Sequence, residues 1–327
     1  MSYILVTGGA GYIGSVLANK LCKNHRVIVI DNLSNGSANF LNKNIIFHKI
    51  DICNYKKLKN IFSKYNIVSV FHFAALKSVS DSQKYYKKYF KNNVLGTVNL
   101  LKNIATFKVG EIIFSSSCSV YGNIDKKKVR EIDPRKPISN YAKTKLRSEK
   151  DIVAYALQFH FKYSILRYFN VMGADKNLKS GELKRGPLFK NISNNIVNNN
   201  LKIEVYGNKF LTKDYTAVRD YIDVNDLVNL HIRSHLLLKK NKSFVLNLGY
   251  GEGYSVNEII NFFEKTLKCK IKILYKNKRD GDVSQIVANN HKMKKLFPSW
   301  TRSFSISQSI KNSILWEKKL KKLNLAT

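Results

Sequence analysis

Residues 7–14 read TGGAGYIG, and no other segment constrains the architecture of this chain as strongly. Gly8, Gly11 and Gly14 fit the spacing GxxGxxG. The apolar run YILV comes directly before the segment, and a helical pattern of apolar residues follows it. In such a strand–turn–helix unit, glycines let backbone N–H groups approach a pyrophosphate at the positive end of the helix. The segment therefore predicts a dinucleotide site rather than an ordinary glycine-rich turn.

Apolar runs and helical patterns alternate through the first half of the chain. Apolar strands that alternate with amphipathic helices predict βαβ units, and such units build a parallel sheet that helices cover on both faces. We therefore expect an α/β protein with a doubly wound parallel sheet, the Rossmann fold. The predicted strands are 3–6, 26–30, 45–50, 68–75, 111–116 and 163–169, and the predicted helices are 12–23, 54–65, 82–106 and 141–159.

The pattern loosens after about residue 170. Residues 174–220 are polar and contain few strong strand signals, which predicts a lobe over the ends of the sheet. We expect a dinucleotide-binding domain at 1–169, to which residues from about 220 to 250 return. Residues 170–327 then form mainly a smaller α+β lobe that binds the substrate.

Two aspartates end the second and third predicted strands. Asp31 follows Gly11 by 20 residues, where a carboxylate accepts hydrogen bonds from the adenosine ribose. A carboxylate there would repel a 2′-phosphate, so its position favours NAD over NADP as the cofactor. Asp51 could meet the adenine amino group, although a turn-forming aspartate fits its local sequence nearly as well.

Tyr141 and Lys145 lie four residues apart and share one face of the helix predicted at 141–159. Tyrosine is a poor base because its ordinary pKa is about 10. A neighbouring ammonium lowers that pKa, and a positively charged nicotinamide adds to the effect. A serine in SSSCSVYG, residues 115–122, can hydrogen-bond the same substrate hydroxyl. Together these groups predict a proton-transfer unit that oxidises an alcohol beside NAD.

The chain of 327 residues carries 57 Lys and Arg against 22 Asp and Glu, a formal charge of +35. Such a charge suggests a polyanionic partner, which could be a nucleic acid, an acidic membrane surface or a phosphorylated small molecule. The excess is spread along the chain, however, and runs rich in Lys and Asn recur throughout. We therefore attribute most of it to compositional drift and expect no specific nucleic-acid partner. The apolar content of 44% is enough for a sizeable core.

The four cysteines, at 22, 53, 118 and 269, are far apart and form no CxxC pair. This spacing predicts neither a metal site nor a disulfide framework. No basic segment precedes the first apolar run, and no apolar stretch approaches the ~18 residues of a membrane span. We therefore expect a cytoplasmic protein without a membrane partner.

Longer motifs resemble those of the extended short-chain dehydrogenase/reductase family, the NAD-dependent epimerases and dehydratases, and within it the UDP-glucose 4-epimerases. The similarity runs from residue 3 to about residue 316. It rests on the glycine and tyrosine–lysine motifs and on DNLSNG (31–36), FHFAALKSV (71–79), NNVLGTVNLL (92–101), LRYFNVMGA (166–174), VRDYIDVNDL (218–227), LNLGYGEGYSV (246–256) and RDGD (279–282).

The resemblance implies a role for three groups of residues. Catalysis would fall to Ser117, Tyr141 and Lys145. A UDP-sugar would contact Asn170, Leu188, Tyr206, Arg219, Arg279 and Asp282. The NAD cofactor would contact Gly8, Gly11, Tyr12, Ile13, Gly14, Asp31, Asn32, Asp51, Ile52, Phe73, Ala74, Lys77, Asn93 and Tyr168.

The reaction implied by the resemblance is an isomerisation in galactose metabolism, the interconversion of UDP-galactose and UDP-glucose. Tyr141 would take the proton of the sugar 4-hydroxyl while hydride leaves C4 for NAD. The 4-keto sugar would then turn within the site, and hydride would return to its opposite face. Guanidinium forks bind diphosphate oxygens bidentately, which suits Arg219 and Arg279 to this substrate.

Departures from the family pattern bear on the substrate. Cys118 and Ser119 follow Ser117, where related dehydratases carry an acidic pair, so a dehydratase is disfavoured. Pro187 stands where epimerases commonly offer an asparagine to the substrate, and Ile286 stands where some have a tyrosine that closes the N-acetyl pocket. The smaller isoleucine leaves open a UDP-N-acetylglucosamine/galactosamine 4-epimerase, or an enzyme that accepts both sugar types.

The resemblance also implies a homodimer, in which helices 82–106 and 141–159 pair across a two-fold axis into a four-helix bundle. Their periodicity would equally suit packing on the sheet. Outside the enzyme class, the alternative is a non-catalytic dinucleotide-binding regulator. The complete set of Ser117, Tyr141 and Lys145 argues against it.

Overall fold

The structure, a computed structural model, describes residues 1–124, 126–240 and 242–325. Its strands are β1 (Tyr3–Thr7), β2 (Val27–Asp31), β3 (Ile46–Lys49), β4 (Ile67–His72), β5 (Glu111–Ser117), β6 (Lys162–Tyr168), β7 (Asn170–Met172), β8 (Lys202–Tyr206), β9 (Val218–Asp223), β10 (Phe244–Leu248), β11 (Gly253–Ser255), β12 (Lys272–Lys276) and β13 (Gln285–Ile286). Its helices are α1 (Tyr12–Leu21), α2 (Tyr55–Lys64), α3 (Val79–Lys84), α4 (Tyr86–Phe90), α5 (Gly96–Thr106), α6 (Asn140–Phe159), α7 (Leu188–Val197), α8 (Val224–Lys240), α9 (Val256–Leu267), α10 (His291–Leu296) and α11 (Ile306–Lys322).

Seven of the described strands form one parallel sheet in the order β10-β6-β5-β4-β1-β2-β3. Successive side chains of a strand point to opposite faces, and helices cover both faces here. Val6 packs in one core with Leu17 of α1, whereas Leu5 packs in a second core with Leu58 of α2. The predicted α/β fold with a doubly wound parallel sheet is confirmed.

The strand order reverses beside β1, which lies between β2 and β4. Doubly wound sheets bind ligands at such a switch point, in the crevice outside the carboxyl ends of the strands. The glycine turn follows β1 there. Gly8 has a φ of 67°, and a Cβ on it would lie 2.5 Å from the backbone N of Ala74. A Cβ on Gly14 would lie 2.3 Å from the carbonyl oxygen of Gly8, so α1 can approach the turn only through a glycine.

The prediction of a single long helix at 82–106 is wrong. These residues form the end of α3, then α4, a π-helical turn (Lys91–Leu95) and α5. Tyr85 leaves the helical conformation between α3 and α4, with φ −122° and ψ 47°. In the π-helical turn, the carbonyl of Asn93 accepts hydrogen bonds from the hydroxyls of Thr97 and Ser148, at 2.6 and 2.9 Å. Side chains that enter the helical ladder in this way distort it, and the spacing of apolar residues does not reveal them.

Beyond β6 the chain forms smaller sheets beside the main one. β9 pairs with β7, β11 and β13, and β8 pairs with β12. β10 returns to the edge of the main sheet by pairing with β6, and α8 packs against α1 and β6. The division into two domains at residue 169 stays a prediction.

The helix α6 extends over 20 residues and carries Tyr141 and Lys145 in its first two turns. Ser139 caps its start, because the Ser139 hydroxyl accepts a hydrogen bond from the backbone N–H of Ala142 at 3.2 Å. The cap fixes the orientation of the turn that follows. No helix in the described part of the chain, α6 included, is long and apolar enough to cross a membrane.

Candidate active site

Two adjoining cavities open at the carboxyl ends of the main-sheet strands. The large cleft has a volume of about 1010 Å³, and the small pocket has a volume of about 180 Å³. Tyr12, Asn32, Lys77 and Tyr168 line both of them. The cavities therefore form one continuous depression at the switch point of the sheet, where folds of this type bind ligands.

Most of the residues predicted from the sequence line one or both cavities. The small pocket is lined by Gly8, Gly11, Tyr12, Ile13, Gly14, Asp31, Asn32, Ile52, Phe73, Ala74, Lys77, Tyr141, Lys145 and Tyr168. The large cleft is lined by Tyr12, Ile13, Asn32, Asp51, Lys77, Tyr168, Asn170, Leu188, Arg279 and Asp282. The remaining predicted residues line neither cavity; they are Asn93, Ser117, Tyr206 and Arg219.

The start of α1 offers hydrogen-bond donors to the small pocket. Gly11 is the N-cap residue, and within the described chain no side chain caps this helix. The N–H groups of a first helical turn have no partner inside the helix. A Cβ on Gly11 would meet only the carbonyl oxygen of Gly8, at 3.3 Å, so the space in front of the turn is open. The donors, the space and the positive helix end fit the pyrophosphate of NAD.

Two carboxylates stand at the ends of β2 and β3. Asp31 accepts hydrogen bonds from the backbone N–H groups of Ala10 and Leu33, at 3.1 and 2.8 Å, while burial raises the pKa of its carboxyl group. Burial would also raise the pKa of Asp51. Hydrogen bonds from the Cys53 N–H and the Asn32 amide, at 2.8 and 3.1 Å, outweigh that effect and lower it. Both carboxylates keep acceptor capacity toward the cavities, which suits ribose hydroxyls and an adenine amino group.

The loop after β4 is held from two sides. The buried amide of Asn93 clamps the backbone of Leu76, accepting from its N–H at 2.8 Å and donating to its carbonyl at 3.0 Å. The neighbouring Lys77 forms an ion pair with Glu182, which comes from the loop before α7. Asn93 therefore shapes the wall of the pocket from behind, and Lys77 reaches the junction of the two cavities.

The three residues predicted to be catalytic lie together where β5 ends against α6. The Lys145 ammonium donates a hydrogen bond to the carbonyl of Ser115 at 2.7 Å and lies 6.0 Å from the ring centre of Tyr141. The Tyr141 hydroxyl is in hydrogen-bond contact with the side chain of Ser117. The Ser117 hydroxyl also accepts a hydrogen bond from the Ser119 hydroxyl at 2.9 Å. The arrangement therefore joins a phenol, a hydroxyl and an ammonium at the wall of the small pocket.

Burial dominates the protonation of the phenol and the ammonium. The sequence predicts that Lys145 lowers the pKa of Tyr141, but burial raises that pKa well above its ordinary value, against the lowering effect of the Ser117 hydrogen bond. Burial also lowers the pKa of Lys145 to about 7, opposed by the carboxylate of Glu149. Burial therefore opposes the lowering of the Tyr141 pKa that is expected from Lys145, and that lowering stays a prediction. A second positive charge at the pocket is needed to favour the phenolate.

The residues predicted to hold a UDP-sugar separate into two sets. Arg279 lines the large cleft, with its guanidinium 4.4 Å from the ring centre of Tyr206, and it pairs with Asp282 at 3.3 Å. Arg219 instead donates to the carbonyls of Val218 and Val283, at 2.8 and 2.7 Å. Its guanidinium fork is therefore engaged with backbone beside the cleft. A contact between Arg219 and the substrate stays a prediction.

Four residues that the sequence did not predict for the site line the cavities; Asn92 opens the motif at 92–101, and the other three lie in no such motif. Glu182 and Asn92 line both cavities, and Lys184 and Arg185 add cations to the large cleft. Three of the four belong to the polar segment 174–220, for which the sequence predicts only a lobe. Their position depends on how the loop before α7 folds over the sheet, which no local spacing encodes.

The two positions that bear on the type of reaction and sugar lie in one apolar cluster. Cys118 is buried, and burial raises the pKa of its thiol to about 12, so the residue after Ser117 supplies no acid or base near neutral pH. Ile286 packs in the same cluster as Cys118 and Phe169, and Phe169 lines the large cleft. Ile286 itself therefore forms no part of the cleft wall.

The chain matches the NAD dependent epimerase/dehydratase family over residues 4–249. It is 34% identical to the UDP-glucose 4-epimerase of Rhizobium meliloti (strain 1021), a match that covers 96% of each chain. It is 37% identical to the bifunctional protein GAL10 of Pachysolen tannophilus over 98% of its own length. It spans about half, 49%, of that larger relative.

Solved structures are similar along the whole chain. The UDP-glucose 4-epimerase from Bifidobacterium longum in complex with NAD⁺ and UDP superposes with a TM-score of 0.92 at 32% identity, covering 97% of this chain and 98% of that one. The UDP-Glc/GlcNAc 4-epimerase from Campylobacter jejuni superposes with a TM-score of 0.82 at 33% identity, covering 98% and 100%. With its family match, its full-length relatives and a pocket that fits NAD, this chain belongs to the NAD-dependent epimerase/dehydratase family of extended short-chain dehydrogenases/reductases, whose cofactor is NAD.

Proposed function

We propose that this chain is a UDP-hexose 4-epimerase that interconverts UDP-galactose and UDP-glucose. The observation that carries the proposal is that the proton-transfer groups line the small pocket and that the wall of this pocket continues into the large cleft. Tyr141 and Lys145 line the small pocket, which fits NAD, and Lys77 and Tyr168 continue its wall into the large cleft. A sugar that enters from the cleft therefore reaches the phenol and the cofactor at one junction.

In this proposal, bound NAD supplies the hydride acceptor and donor for C4 of the sugar. Tyr141 takes the proton of the 4-hydroxyl oxygen and later returns it. Ser117 orients the phenol through their hydrogen bond. Lys145 supplies a positive charge beside the phenol, held in place by the carbonyl of Ser115. Burial disfavours the ionised form of Tyr141, so ionisation of the phenol depends on the ammonium of Lys145 and the positive nicotinamide of bound NAD. Tyr141 would therefore take the proton only when both charges are present.

The large cleft suits a sugar attached to a nucleoside diphosphate. Its volume of about 1010 Å³ is at the upper end of the range of small-molecule sites. A cleft of this size has room for a ligand larger than a free sugar. Arg279 offers a guanidinium to diphosphate oxygens, and Asn170 offers an amide to polar groups of the substrate. Lys184 and Arg185 add positive charge beside Pro187, the position where the asparagine of the family pattern is missing.

A UDP-N-acetylhexosamine epimerase, or an enzyme that accepts both sugar types, is the second candidate. It is favoured by Ile286, which packs into the cluster of Cys118 and Phe169 instead of walling the cleft. An N-acetyl group therefore meets no bulky side chain at this position. The relative from Campylobacter jejuni carries a name that covers both sugar types.

The assembly and location are also proposals. We propose a cytoplasmic homodimer that pairs α6 and the broken helix 79–106 across a two-fold axis. Leu95 and Leu157, on these two elements, are 47% and 72% exposed. Light scattering coupled to gel filtration would give the mass of a dimer, and the change of Leu157→Glu would return it to the mass of a monomer.

Separate incubations with UDP-galactose and with UDP-N-acetylgalactosamine test the proposed reaction. Products are resolved by ion-pair chromatography after NAD has been supplied. Conversion of UDP-galactose to UDP-glucose supports the proposal. Conversion of only the second substrate would replace it by the second candidate, and conversion of neither, with NAD bound, would favour the non-catalytic regulator.

The role of the phenol is tested by Tyr141→Phe, with Tyr155→Phe on the same helix as its control. Loss of one proton-transfer group should reduce kcat by roughly 10²–10⁴-fold. Tyr155 packs with Phe159 on another part of α6, so its variant should keep the wild-type rate. Equal rates for both variants would remove Tyr141 from the mechanism.

A further inference from the structure

Glu149 lies one helical turn beyond Lys145 on α6. Tyr141, Lys145 and Glu149 are spaced by four residues, so they follow one another along one face of the helix. The side chain of Glu149 is almost completely buried. A buried carboxylate must be paired or neutralised, so its partners decide what it does to the lysine beside it.

The carboxylate of Glu149 binds both strands on which α6 rests. It accepts hydrogen bonds from Nε and a terminal nitrogen of Arg167 on β6, at 2.8 and 2.6 Å. It accepts a third from the hydroxyl of Ser116 on β5, at 2.5 Å. The guanidinium of Arg135 lies 3.8 Å away. Three elements are therefore locked together by one anion directly behind the proposed catalytic pair.

The two hydrogen-bond partners of Glu149, Ser116 and Arg167, are each next in sequence to a residue at the pocket. Ser116 follows Ser115, whose carbonyl accepts the hydrogen bond of Lys145. Arg167 precedes Tyr168, whose hydroxyl hydrogen-bonds the hydroxyl of Ser115. A shift of the Glu149 pair would therefore move the acceptor that holds Lys145.

We propose that Glu149 is a positioning residue for Lys145, which it keeps in place and in its ammonium form from behind the pocket. The inference rests on the proposed function, in which that ammonium acts beside Tyr141. Glu149 lines neither cavity, so it can affect the pocket only through the residues that it contacts. Arg167 reduces the effect of Glu149 on Lys145, because its guanidinium offsets part of the negative charge of the carboxylate.

The charges around Lys145 give the sign of the expected effect. Burial lowers the pKa of Lys145 to about 7, and Glu149 opposes that fall. Removal of the Glu149 charge deletes the opposing interaction and leaves the Arg167 guanidinium unpaired behind the lysine. Both changes favour the neutral amine. The other titratable groups that interact with Lys145 or Tyr141 are His72 on β4, Tyr89 on α4, Cys118 after β5 and Tyr168 on β6.

The state of Lys145 can be measured without any turnover. Trace labelling of the whole protein with acetic anhydride over a pH series, followed by peptide mass spectrometry, gives the midpoint at which Lys145 becomes reactive. The wild-type midpoint should lie near pH 7. In Glu149→Gln it should fall by roughly one unit, and in Glu149→Asp, which keeps the charge, it should stay near the wild-type value.

The chain offers a matched control on the same helix. Asp151 pairs with Arg147 at 2.9 Å on the exposed side of α6, so Asp151→Asn makes the same chemical change away from the pocket. Its midpoint should equal that of the wild type. Wild-type midpoints in both Glu149→Gln and Asp151→Asn would overturn the inference. If Glu149→Gln does not fold, the double change with Arg167→Met removes the stranded charge; the midpoint should then fall by less than in the single variant, because the opposing guanidinium is also gone, and no fall at all would overturn the inference.

The pH profile of turnover gives a second readout. Glu149→Gln should lose most activity above about pH 7 and regain it as the pH falls and Lys145 is protonated again. A loss that is uniform over pH would indicate a merely structural role. Absence of epimerisation by the wild type would contradict the proposed function. The labelling midpoints would still test the effect of Glu149 on Lys145, because they need no turnover.

Discussion

Glu182 and Lys77 form an ion pair where the small pocket meets the large cleft. The Glu182 side chain is 9% exposed, whereas that of Lys77 is 48% exposed. The backbone carbonyl of Glu182 accepts a hydrogen bond from the indole N–H of Trp316 on α11, at 3.0 Å. The pair therefore links the loop after β4 to a loop anchored on the C-terminal helix, at the junction of the two cavities.

Lys77→Gln should destabilise the protein more than Glu182→Gln does. Loss of the lysine leaves a nearly buried carboxylate without its ion-pair partner, although the N–H groups of Leu183 and Lys184 still donate to it at 3.1 Å, whereas loss of the carboxylate leaves a lysine that water can solvate. Because one partner is half exposed, the coupling energy of the pair should be about 1 kcal/mol or less. Thermal unfolding of the wild type, both single variants and the double variant gives this coupling as a double-mutant cycle. A larger loss of stability in Glu182→Gln than in Lys77→Gln would contradict this prediction, because it would show that Lys77 needs the ion pair more than Glu182 does.

Gly11→Ala should weaken NAD binding while the protein still folds. Gly11 has φ −80° and ψ 178°, a conformation open to alanine, and its Cβ would meet only the carbonyl oxygen of Gly8, at 3.3 Å. The methyl group would stand in front of the first turn of α1, where the pyrophosphate is expected. Calorimetry should show a loss of at least roughly tenfold in NAD affinity.

Gly110→Ala is the control for that change. Its Cβ would lie 3.7 Å from the nearest atom, the carbonyl oxygen of Val68, and it is remote from both cavities. Its melting temperature and NAD affinity should match those of the wild type. Unchanged NAD affinity in Gly11→Ala would move the pyrophosphate away from the glycine turn.

Arg279→Lys should raise KM for the UDP-sugar with little change in kcat. Lysine keeps the charge but loses the fork that binds two diphosphate oxygens and the stacking on Tyr206, 4.4 Å from the guanidinium. One charge-assisted hydrogen bond lost corresponds to roughly tenfold in KM. Arg302→Lys is a matched control, since Arg302 stacks on Tyr250 at 4.2 Å away from the cleft. A similar rise in KM for both variants would indicate a general effect on the fold.

His72 should make the protein less stable as the pH falls below about 6.5. Its ring lies between the hydroxyls of Thr7 and Thr97, at 2.6 and 2.9 Å, and burial lowers its pKa from 6.5 to about 3. The unfolded chain therefore binds a proton at a pH where the folded chain does not. This site should cost at most about 2 kcal/mol of unfolding free energy between about pH 7 and about pH 5.

The variant His72→Gln tests that pH dependence. Glutamine can bond both threonines but cannot titrate, so urea unfolding at the two pH values should show a smaller loss than in the wild type. His291→Gln, on the exposed start of α10, should keep the wild-type loss. The same loss in His72→Gln as in the wild type would assign the acid sensitivity to other groups.

The sequence by itself determined those features that follow from local pattern. The glycine turn, the two aspartates at strand ends and the tyrosine–lysine spacing each belong to a strand end or a helix turn, where neighbours in sequence are neighbours in space. For this reason most of the predicted pocket residues do line the pocket.

Only the tertiary structure decided which groups meet across elements. It broke the helix predicted at 82–106 at Tyr85, and it placed a π-helical turn at 91–95, where Thr97 and Ser148 both hydrogen-bond the carbonyl of Asn93. It brought Glu182 from a featureless loop to Lys77, and it turned Arg219 toward backbone carbonyls. It also buried Tyr141, which raises the pKa of the phenol against the lowering expected from Lys145, since desolvation depends on everything packed around a group. Contacts between distant segments and the burial they create are properties of the folded chain, so no local spacing can carry them.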